Sequence, residues 1–363
     1  MKVNHRFLAV LSAWLLFAAS PVLAVDYGLE SSTIELASAG PLAFTPDGIL
    51  IVGDPMAATI YAIDTEERGQ ADTAAYDIAA LQSSLQDAIA AAEVKVADLA
   101  VHPKTKSVYL AVQAGSKAAL IRVTAAGKTE SISLDKVLSS KITLPNPPAD
   151  KLVGRGNRQR NLRMDSITDL AFTSSRLLVS GLSADASPST VLEYEFPFHE
   201  RSRAFRTEIF HAAHGRVEDG SAIRAFIPMN IGGEPSLLAG FTCTPLVQFP
   251  VKTSDSPEKL RGKTIAELGN RNRPLDMILY NKGEQEYLLI ANSARGVMKL
   301  ATANIDQQQE LTARVSGGGS AGLPFEQVAS LEGVVQLDKL DPAHGVVLIE
   351  SAGNLKLKSI ELP

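Results

Sequence analysis

Carboxylates at matching positions of a repeated pattern are the first residues here that could do chemistry. Asp98, Asp169 and Asp276 each open a short apolar segment, in DLAVHP, DLAFTS and DMILYN. If these segments are equivalent strands around one axis, their carboxylates converge at the mouth of a central channel. Oxygen ligands in such a ring could hold Ca²⁺. The alternative is that each aspartate accepts backbone N–H bonds from a neighbouring unit.

A second group could bind a transition metal. His211 and His214 form a His-Ala-Ala-His segment, and a third ligand such as Glu218 or Asp219 would complete a site. The alternative is a pair of polar loop residues. Cys243, the single cysteine, could be a reactive ligand-binding thiol that faces the channel, or a small buried hydrophobic residue.

Arginines are concentrated in loops that we expect on one face of the molecule. Their planar guanidinium groups suit carboxylates and phosphates. The alternative is that these side chains are solvated or bound to nearby carboxylates and carbonyls. The candidates for a ligand-binding rim are Arg155, Arg158, Arg160, Arg163, Arg271, Arg273 and Arg295.

Six repeats must position these residues. The units start at Pro41, Asp98, Asp169, Ile223, Asp276 and Gly333, and successive starts lie 57, 71, 54, 53 and 57 residues apart. Each start is followed by further short apolar or alternating runs, which predict antiparallel strands. Four such strands per unit, stacked radially, predict an all-β, six-bladed β-propeller. A seventh blade in the long second gap and a β-sandwich are the alternatives.

The chain ends predict how the ring closes. The sixth unit is one strand short, and the N-terminal segment Thr33–Leu36 is a strand without a blade of its own. We therefore expect this segment to be the outer strand of the sixth blade. Two insertions are expected on the arginine-bearing face: a helix over Ile78–Ala92 with Asp77 as N-cap, lying over the ring, and a long loop over Leu138–Ser166.

One repeat carries a family resemblance. GPLAFTPDGILIVGDPMAATIYAID, from Gly40 to Asp64, resembles blades of NHL-repeat and gluconolactonase-like (senescence-marker-protein-like) six-bladed propellers. The resemblance implies a channel Ca²⁺ and lactonase chemistry. Those enzymes typically place a glutamate before the Gly-Pro of the first blade, whereas this chain has Ala39 there.

The first 24 residues predict export. A basic start, an apolar run and small residues Val22 and Ala24 before Val25 are typical of a cleaved signal peptide. We expect one domain over residues 25–363, periplasmic or secreted, monomeric and without a membrane span. Removing Lys2 and Arg6 leaves 33 basic and 40 acidic residues, a net charge of −7, which disfavours nucleic acid as a partner.

These patterns favour a binding protein but leave its status as an enzyme open. The main hypothesis is an exported propeller that binds a protein partner or an anionic small ligand at its arginine-rich face. One alternative is a metal-dependent hydrolase or lactonase that uses Asp98, Asp169 and Asp276. Another is an accessory protein of a periplasmic redox system, which would use His211, His214 and Cys243. No catalytic residue can be assigned from the sequence.

Overall fold

Six antiparallel sheets surround a central channel, so the predicted six-bladed β-propeller is confirmed. The computed structural model describes residues 27–69, 71, 75–156, 159–199, 202–251 and 258–363. The predicted signal peptide therefore lies outside the described residues. The second strands are the most apolar, and Ile49–Asp54 is buried along its whole length. Such strands pack against neighbouring blades on both faces, which explains why they read as continuous apolar runs.

Blades 1 to 3 are numbered by the chain order of their inner strands, and their strands run from the channel outward. Blade 1 comprises Leu42–Phe44, Ile49–Asp54, Thr59–Asp64, Val137–Thr143 and, outermost, Glu30–Ser32. Blade 2 comprises Lys95–Val101, Val108–Ala114, Lys117–Val123 and Thr129–Ser131. Blade 3 comprises Asp169–Thr173, Arg176–Leu182, Ser189–Glu195 and Ser202–His211, with Arg216–Glu218 and Glu258–Arg261 added at its edge.

Blades 4 to 6 follow the same plan. Blade 4 comprises Ile223–Ile231, Glu234–Phe241, Pro245–Pro250, Lys263–Leu268 and Ser320–Gly322. Blade 5 comprises Pro274–Lys282, Gln285–Asn292, Gly296–Ala301 and Glu326–Gln327. Blade 6 comprises Val334–Lys339, His344–Ser351, Asn354–Glu361 and Asp77–Ile78.

The blades do not follow chain order around the ring. The inner strands contact one another in the order 1, 3, 4, 5, 6, 2 and back to 1, so blade 2 lies between blades 6 and 1. Six apolar clusters fill these six interfaces. Leu170 of blade 3 packs with Ile51 of blade 1, for example, and Leu99 of blade 2 packs with Leu348 of blade 6. Burial between blades therefore holds the ring together.

The predicted closure is wrong. The first described strand, Glu30–Ser32, pairs with Val137–Thr143 at the edge of blade 1. The outer strand of blade 6 is instead Asp77–Ile78, which pairs with Leu357 and Lys358. The chain thus leaves blade 1 after its three inner strands, adds the outer strand of blade 6, builds blade 2 and then returns to add Val137–Thr143, which lies between the third strand of blade 1 and Glu30–Ser32. Since this long second gap supplies a strand to blade 1 and a loop, it contains no seventh blade among its described residues.

The predicted helix is present but shorter and differently placed. It spans Leu81–Ile89, and its N-cap is Ala80 rather than Asp77, which belongs to the blade 6 strand. Leu81, Leu85 and Ile89 are buried in the cluster between blades 2 and 6, so the helix fills this interface instead of lying over the ring. A 3₁₀ turn, Leu162–Asp165, and a small hairpin, Leu152–Val153 with Arg160–Asn161, shape the long insertion.

Two further 3₁₀ turns, Ile305–Gln307 and Ala329–Leu331, lie in the connections around the outer strand of blade 5. Within the described parts of the chain, no helix has the length and apolar character needed to cross a membrane.

Candidate functional site

The central channel brings the three predicted carboxylates together. Asp98, Asp169 and Asp276 lie at the upper end of the channel, where the inner strands begin. Above them is a small cavity of about 180 Å³, here called the upper mouth. Below them, a cavity of about 820 Å³ extends toward the opposite face. A fourth carboxylate, Asp338 of blade 6, also lines the lower cavity. It was not predicted from the sequence.

Each of these carboxylates accepts a hydrogen bond from the inner strand of the next blade. The bonds run from Leu42 N to Asp98 (2.7 Å), Phe226 N to Asp169 (2.7 Å), Leu337 N to Asp276 (2.8 Å) and Val101 N to Asp338 (2.8 Å). These are the backbone contacts expected if the aspartates tie neighbouring blades together. The repeat pattern did not predict Asp338. In the inner strand of blade 6, the position equivalent to Asp98 and Asp276 is occupied by Gln336, and Asp338 lies two residues later.

Burial keeps these carboxylates protonated at unusually high pH. Removal from water raises the pKa of Asp98 to about 7, against the hydrogen bonds from Leu42 and Leu99, and the charge of Asp338 raises it further. Burial raises the pKa of both Asp169 and Asp276 well above the ordinary value, and the negative charge of Asp98 raises it further. Burial also raises the pKa of Asp338.

The channel carboxylates do not fit the calcium site that the family resemblance implies. Ca²⁺ binds through several oxygen ligands that converge on one point, but Asp98, Asp169 and Asp276 each already accept a backbone N–H bond from the next blade. Blade 1 contributes no carboxylate to the upper mouth, where it places Ala39, Gly40 and Pro41. We therefore assign these aspartates a structural part in joining the blades.

Asp98→Asn is expected to stabilise the protein above neutral pH. The folded-state pKa of Asp98, about 7, lies above its unfolded value, so the native state binds the extra proton and stability falls as pH rises through about 7. The asparagine variant cannot ionise and keeps an acceptor for Leu42. Between pH 5 and pH 8 we expect the wild type to lose on the order of 2 kcal/mol relative to the variant.

Urea denaturation at both pH values measures this difference. Asp87→Asn, at an exposed position of the helix, is the matched control and should leave the pH dependence unchanged. Parallel pH profiles for the wild type and Asp98→Asn would contradict the assignment.

The seven predicted arginines do not form one continuous rim. Arg158 lies outside the described residues. Arg163 donates to the carbonyls of Pro148 and Met56, and Arg295 donates to those of Asn270 and Gly318, so both hold loops in place. Arg155 and Arg271 are exposed on their loops.

The remaining two lie near a third arginine, Arg224, which lines the upper mouth. Arg224, missed from the sequence, lines this cavity and donates to Asp165 over 2.7 Å. Arg160 lies 3.9 Å from the same carboxylate. Partial burial lowers the pKa of Arg273, and the positive charge of Arg224 lowers it further. We call Arg160, Arg224 and Arg273 the mouth arginines. Arg224 was missed because it lies inside the fourth repeat, where the other blades place apolar or acidic residues.

The predicted metal ligands converge at the edge of the same face. His211 ends the outer strand of blade 3, His214 follows in the turn, and Cys243 lies in the turn between the second and third strands of blade 4. Ligand atoms of the three side chains all lie within 4.8 Å of one another. The histidine pair and Cys243 are therefore brought together because blades 3 and 4 are neighbours in the ring. Asp219 binds Lys259 and Ser187 instead.

Glu218 orients both histidines instead of completing the ligand set. Its two oxygens lie 2.8 Å from Nδ1 of His211 and 2.8 Å from Nδ1 of His214, and it also accepts from Arg216. Burial alone would raise the pKa of Glu218, but the bonds from His211, Arg216 and His214 lower it to about 2. An ionised carboxylate can only accept. Both Nδ1 atoms therefore carry a proton and donate to Glu218.

Cys243 is held in an uncommon backbone conformation. Cys243 and Thr244 both adopt left-handed φ angles, 64° and 61°. The turn is fixed by bonds from Cys243 N to the carbonyl of Asn272 (2.8 Å) and from Thr244 Oγ1 to that of Gly269 (2.6 Å). Non-glycine residues in this region cost about 1–3 kcal/mol each and persist where surrounding structure enforces them. The thiol is thus placed by the neighbouring strands.

Comparisons with known proteins leave the family open. No family model matches the chain, and no curated protein matches it. Among solved structures, the chain is similar to the PQQ-bound aldose sugar dehydrogenase from Streptomyces coelicolor, at 11% identity and a TM-score of 0.34, over 92% of this chain and 96% of that one. It is also similar to a GH43B protein of a Bacteroides ovatus xyloglucan locus, at 11% identity and a TM-score of 0.34, over 73% and 51%.

Neither similarity is close enough to carry an argument about function, and neither singles out the NHL-repeat or gluconolactonase-like propellers. The six-bladed architecture is established by the strand pairing of the chain itself.

Proposed function

We propose that this protein is an exported binding propeller that holds the anionic group of a small molecule at its upper mouth. The observation that carries the proposal is the grouping of three arginines near a single carboxylate: Arg224 and Arg160 lie 2.7 and 3.9 Å from Asp165, and Arg273 is close enough to interact electrostatically with both Arg224 and Asp165. Three permanent positive charges face one negative charge at this place. Guanidinium groups bind carboxylates and phosphates through paired N–H donors.

The channel carboxylates do not oppose an anion here. Asp98, Asp169 and Asp276 line the same cavity as Arg224, and three ionised aspartates would oppose the positive charge of the mouth arginines. Burial raises the pKa of each of them, to about 7 for Asp98, so most of that negative charge is absent near neutral pH. The local charge at the mouth is therefore positive in a protein that is acidic overall.

The surroundings favour an anion with an apolar body. The upper mouth, at about 180 Å³, is sized for a head group and not for a whole ligand of ordinary size. The insertion beside it exposes two large apolar side chains, Met164 at 41% and Leu152 at 66%. Met164 lines the mouth itself. We infer a ligand whose phosphate or carboxylate enters the mouth while an apolar part lies against Met164.

Export forms part of the proposal and rests on the predicted signal peptide. Expression with the natural N-terminus in a bacterial host should give a product that begins at Val25. Intact-mass measurement of the purified protein checks the cleavage, and an uncleaved chain would contradict it.

Titration calorimetry with inorganic phosphate and with n-hexyl phosphate tests the binding site. We expect hexyl phosphate to bind more tightly than phosphate, because it adds apolar contact to the same head group. Arg273→Gln should weaken binding of either probe by about tenfold, the loss of one charge-assisted contact of about 1.4 kcal/mol. Arg155→Gln, which removes an exposed arginine of the long insertion, is the matched control.

The result that would overturn the proposal is equally direct. If the wild type binds neither probe at millimolar concentration, or if Arg273→Gln binds both as well as Arg155→Gln does, the mouth arginines are not an anion site.

A further inference from the structure

The cluster between blades 3 and 4 has the features of a binding site instead of a chance meeting of side chains. His211 is 2% exposed, and its Nε2 atom has no hydrogen-bond partner among the described residues. A buried acceptor left without a partner costs about 1–3 kcal/mol. The opposite ring nitrogen is fixed by Glu218, so the ring cannot turn to satisfy Nε2 without losing that bond.

The three candidate side chains each bring a possible ligand atom, a ring nitrogen or the sulfur, to one place. All of them lie within 4.8 Å of one another. A tetrahedral ion with Zn–N and Zn–S bonds of ordinary length would need separations of about 3.3–3.6 Å between ligand atoms. Rotation of the Cys243 side chain and small shifts of the two rings, closing the separations by at most about 1.5 Å, would reach this geometry while Glu218 keeps its bonds to both Nδ1 atoms.

The carboxylate behind the histidines completes a recurrent arrangement. Histidines that bind metals commonly donate their other ring N–H to a carboxylate, which fixes the ring and strengthens it as a ligand. Here one carboxylate, Glu218, serves both His211 and His214. The loop between the histidines is fixed from below, since Ala213 N donates to Glu267 over 3.0 Å and Val315 N donates to the carbonyl of Ala212 over 2.9 Å.

An ion could enter from solvent. The His214 side chain is 43% exposed, and Cys243 is partly exposed. The buried His211 forms the inner wall, and the other two ligands close the site from outside. Two imidazoles and one thiolate leave a fourth position open, which a water molecule or a substrate atom could occupy.

We propose that His211, His214 and Cys243 form a binding site for one transition-metal ion of the zinc or copper class. Nitrogen and sulfur donors select these metals over calcium and magnesium, which take oxygen ligands. The site differs in its ligands from the anion site at the upper mouth, since it uses none of the mouth arginines.

Metal titration of the reduced, metal-free protein tests the proposal. Zn²⁺ and Cu⁺ are titrated separately, and Co²⁺ serves as the spectroscopic probe. We expect one ion per chain, a rise in melting temperature with Zn²⁺ or Cu⁺, and a thiolate-to-cobalt charge-transfer absorption. Comparing the Zn²⁺ and Cu⁺ affinities decides which of the two metals the site favours.

Four variants locate the ion. Cys243→Ser should abolish the charge-transfer absorption, and both Cys243→Ser and His214→Gln should weaken Zn²⁺ binding by more than about 100-fold. Glu218→Gln should weaken binding by about 10–100-fold while keeping the absorption, because it removes only the support of the ligands. His344→Gln, which removes another histidine bonded to a carboxylate, is the control and should change nothing.

Partly exposed positions were chosen for the ligand variants because replacing the buried His211 could prevent folding. The proposal is overturned if the wild type binds none of the three ions, or if Cys243→Ser binds Co²⁺ with an unchanged spectrum.

Discussion

Asp54→Ala is expected to lower the free energy of unfolding by about 3–5 kcal/mol, the cost of stripping several buried donors of a shared charged acceptor. Asp54 is fully buried at the end of the second strand of blade 1. Its carboxylate accepts bonds from the backbone N–H groups of Ala37, Ser38 and Ala57 and from the Ser38 hydroxyl. Without it, the segment that leads into the inner strand of blade 1 loses its anchor.

Urea denaturation of the mature chain measures this loss. Asp47→Ala is the control. Asp47 is exposed, and the loss of an ion pair at the protein surface costs less than about 1 kcal/mol. The Asp54→Ala change should also disturb the upper mouth. Its lining residues Ala39, Gly40 and Pro41 directly follow the segment that Asp54 anchors. Equal midpoints for the two variants would show that the loop does not depend on Asp54.

Gly181→Ala is expected to cost about 3 kcal/mol because there is no room for a side chain. A β-carbon at Gly181 would lie 2.0 Å from the carbonyl oxygen of Ser166 and 2.6 Å from its carbonyl carbon. These are backbone atoms of the long insertion, so they can move away only by shifting the segment that carries Asp165. Overpacking of this kind typically costs 1–3 kcal/mol and sometimes more.

Gly220→Ala is the matched control, since its nearest neighbour would be a side-chain atom of Pro188 at 3.9 Å. Denaturation midpoints and hexyl phosphate binding should both fall for Gly181→Ala and stay near the wild-type values for Gly220→Ala. A Gly181→Ala protein of normal stability would mean that the insertion is not packed against blade 3 as described.

The two candidate sites are neighbours on the upper face. Arg224 donates to the Thr242 hydroxyl over 3.2 Å, and Thr242 directly precedes Cys243. Asn272, whose carbonyl accepts from Cys243 N, directly precedes Arg273. The turn that carries the thiol and the loop that carries a mouth arginine are therefore held by the same contacts, although their ligands differ in chemistry.

The sequence by itself determined the repeating unit and the face on which chemistry is placed. Strand patterns are local, because a side chain meets water or a neighbouring blade according to its position along its own strand. For this reason the sequence alone places Asp98, Asp169 and Asp276 at one mouth, and the turn residues His211, His214 and Cys243 on one face.

Tertiary structure alone decided the order of the blades, the closure of the ring and which residues meet. The strand that closes blade 6, Asp77–Ile78, has two residues, too few to carry a pattern that specifies its partner. Pairing there depends on the helix Leu81–Ile89 and the apolar surfaces of blades 2 and 6, which are far apart in sequence. The meeting of Cys243 with the histidines, and of Arg224 with Asp165, likewise depends on which blades become neighbours, and that outcome is set by burial summed over whole interfaces.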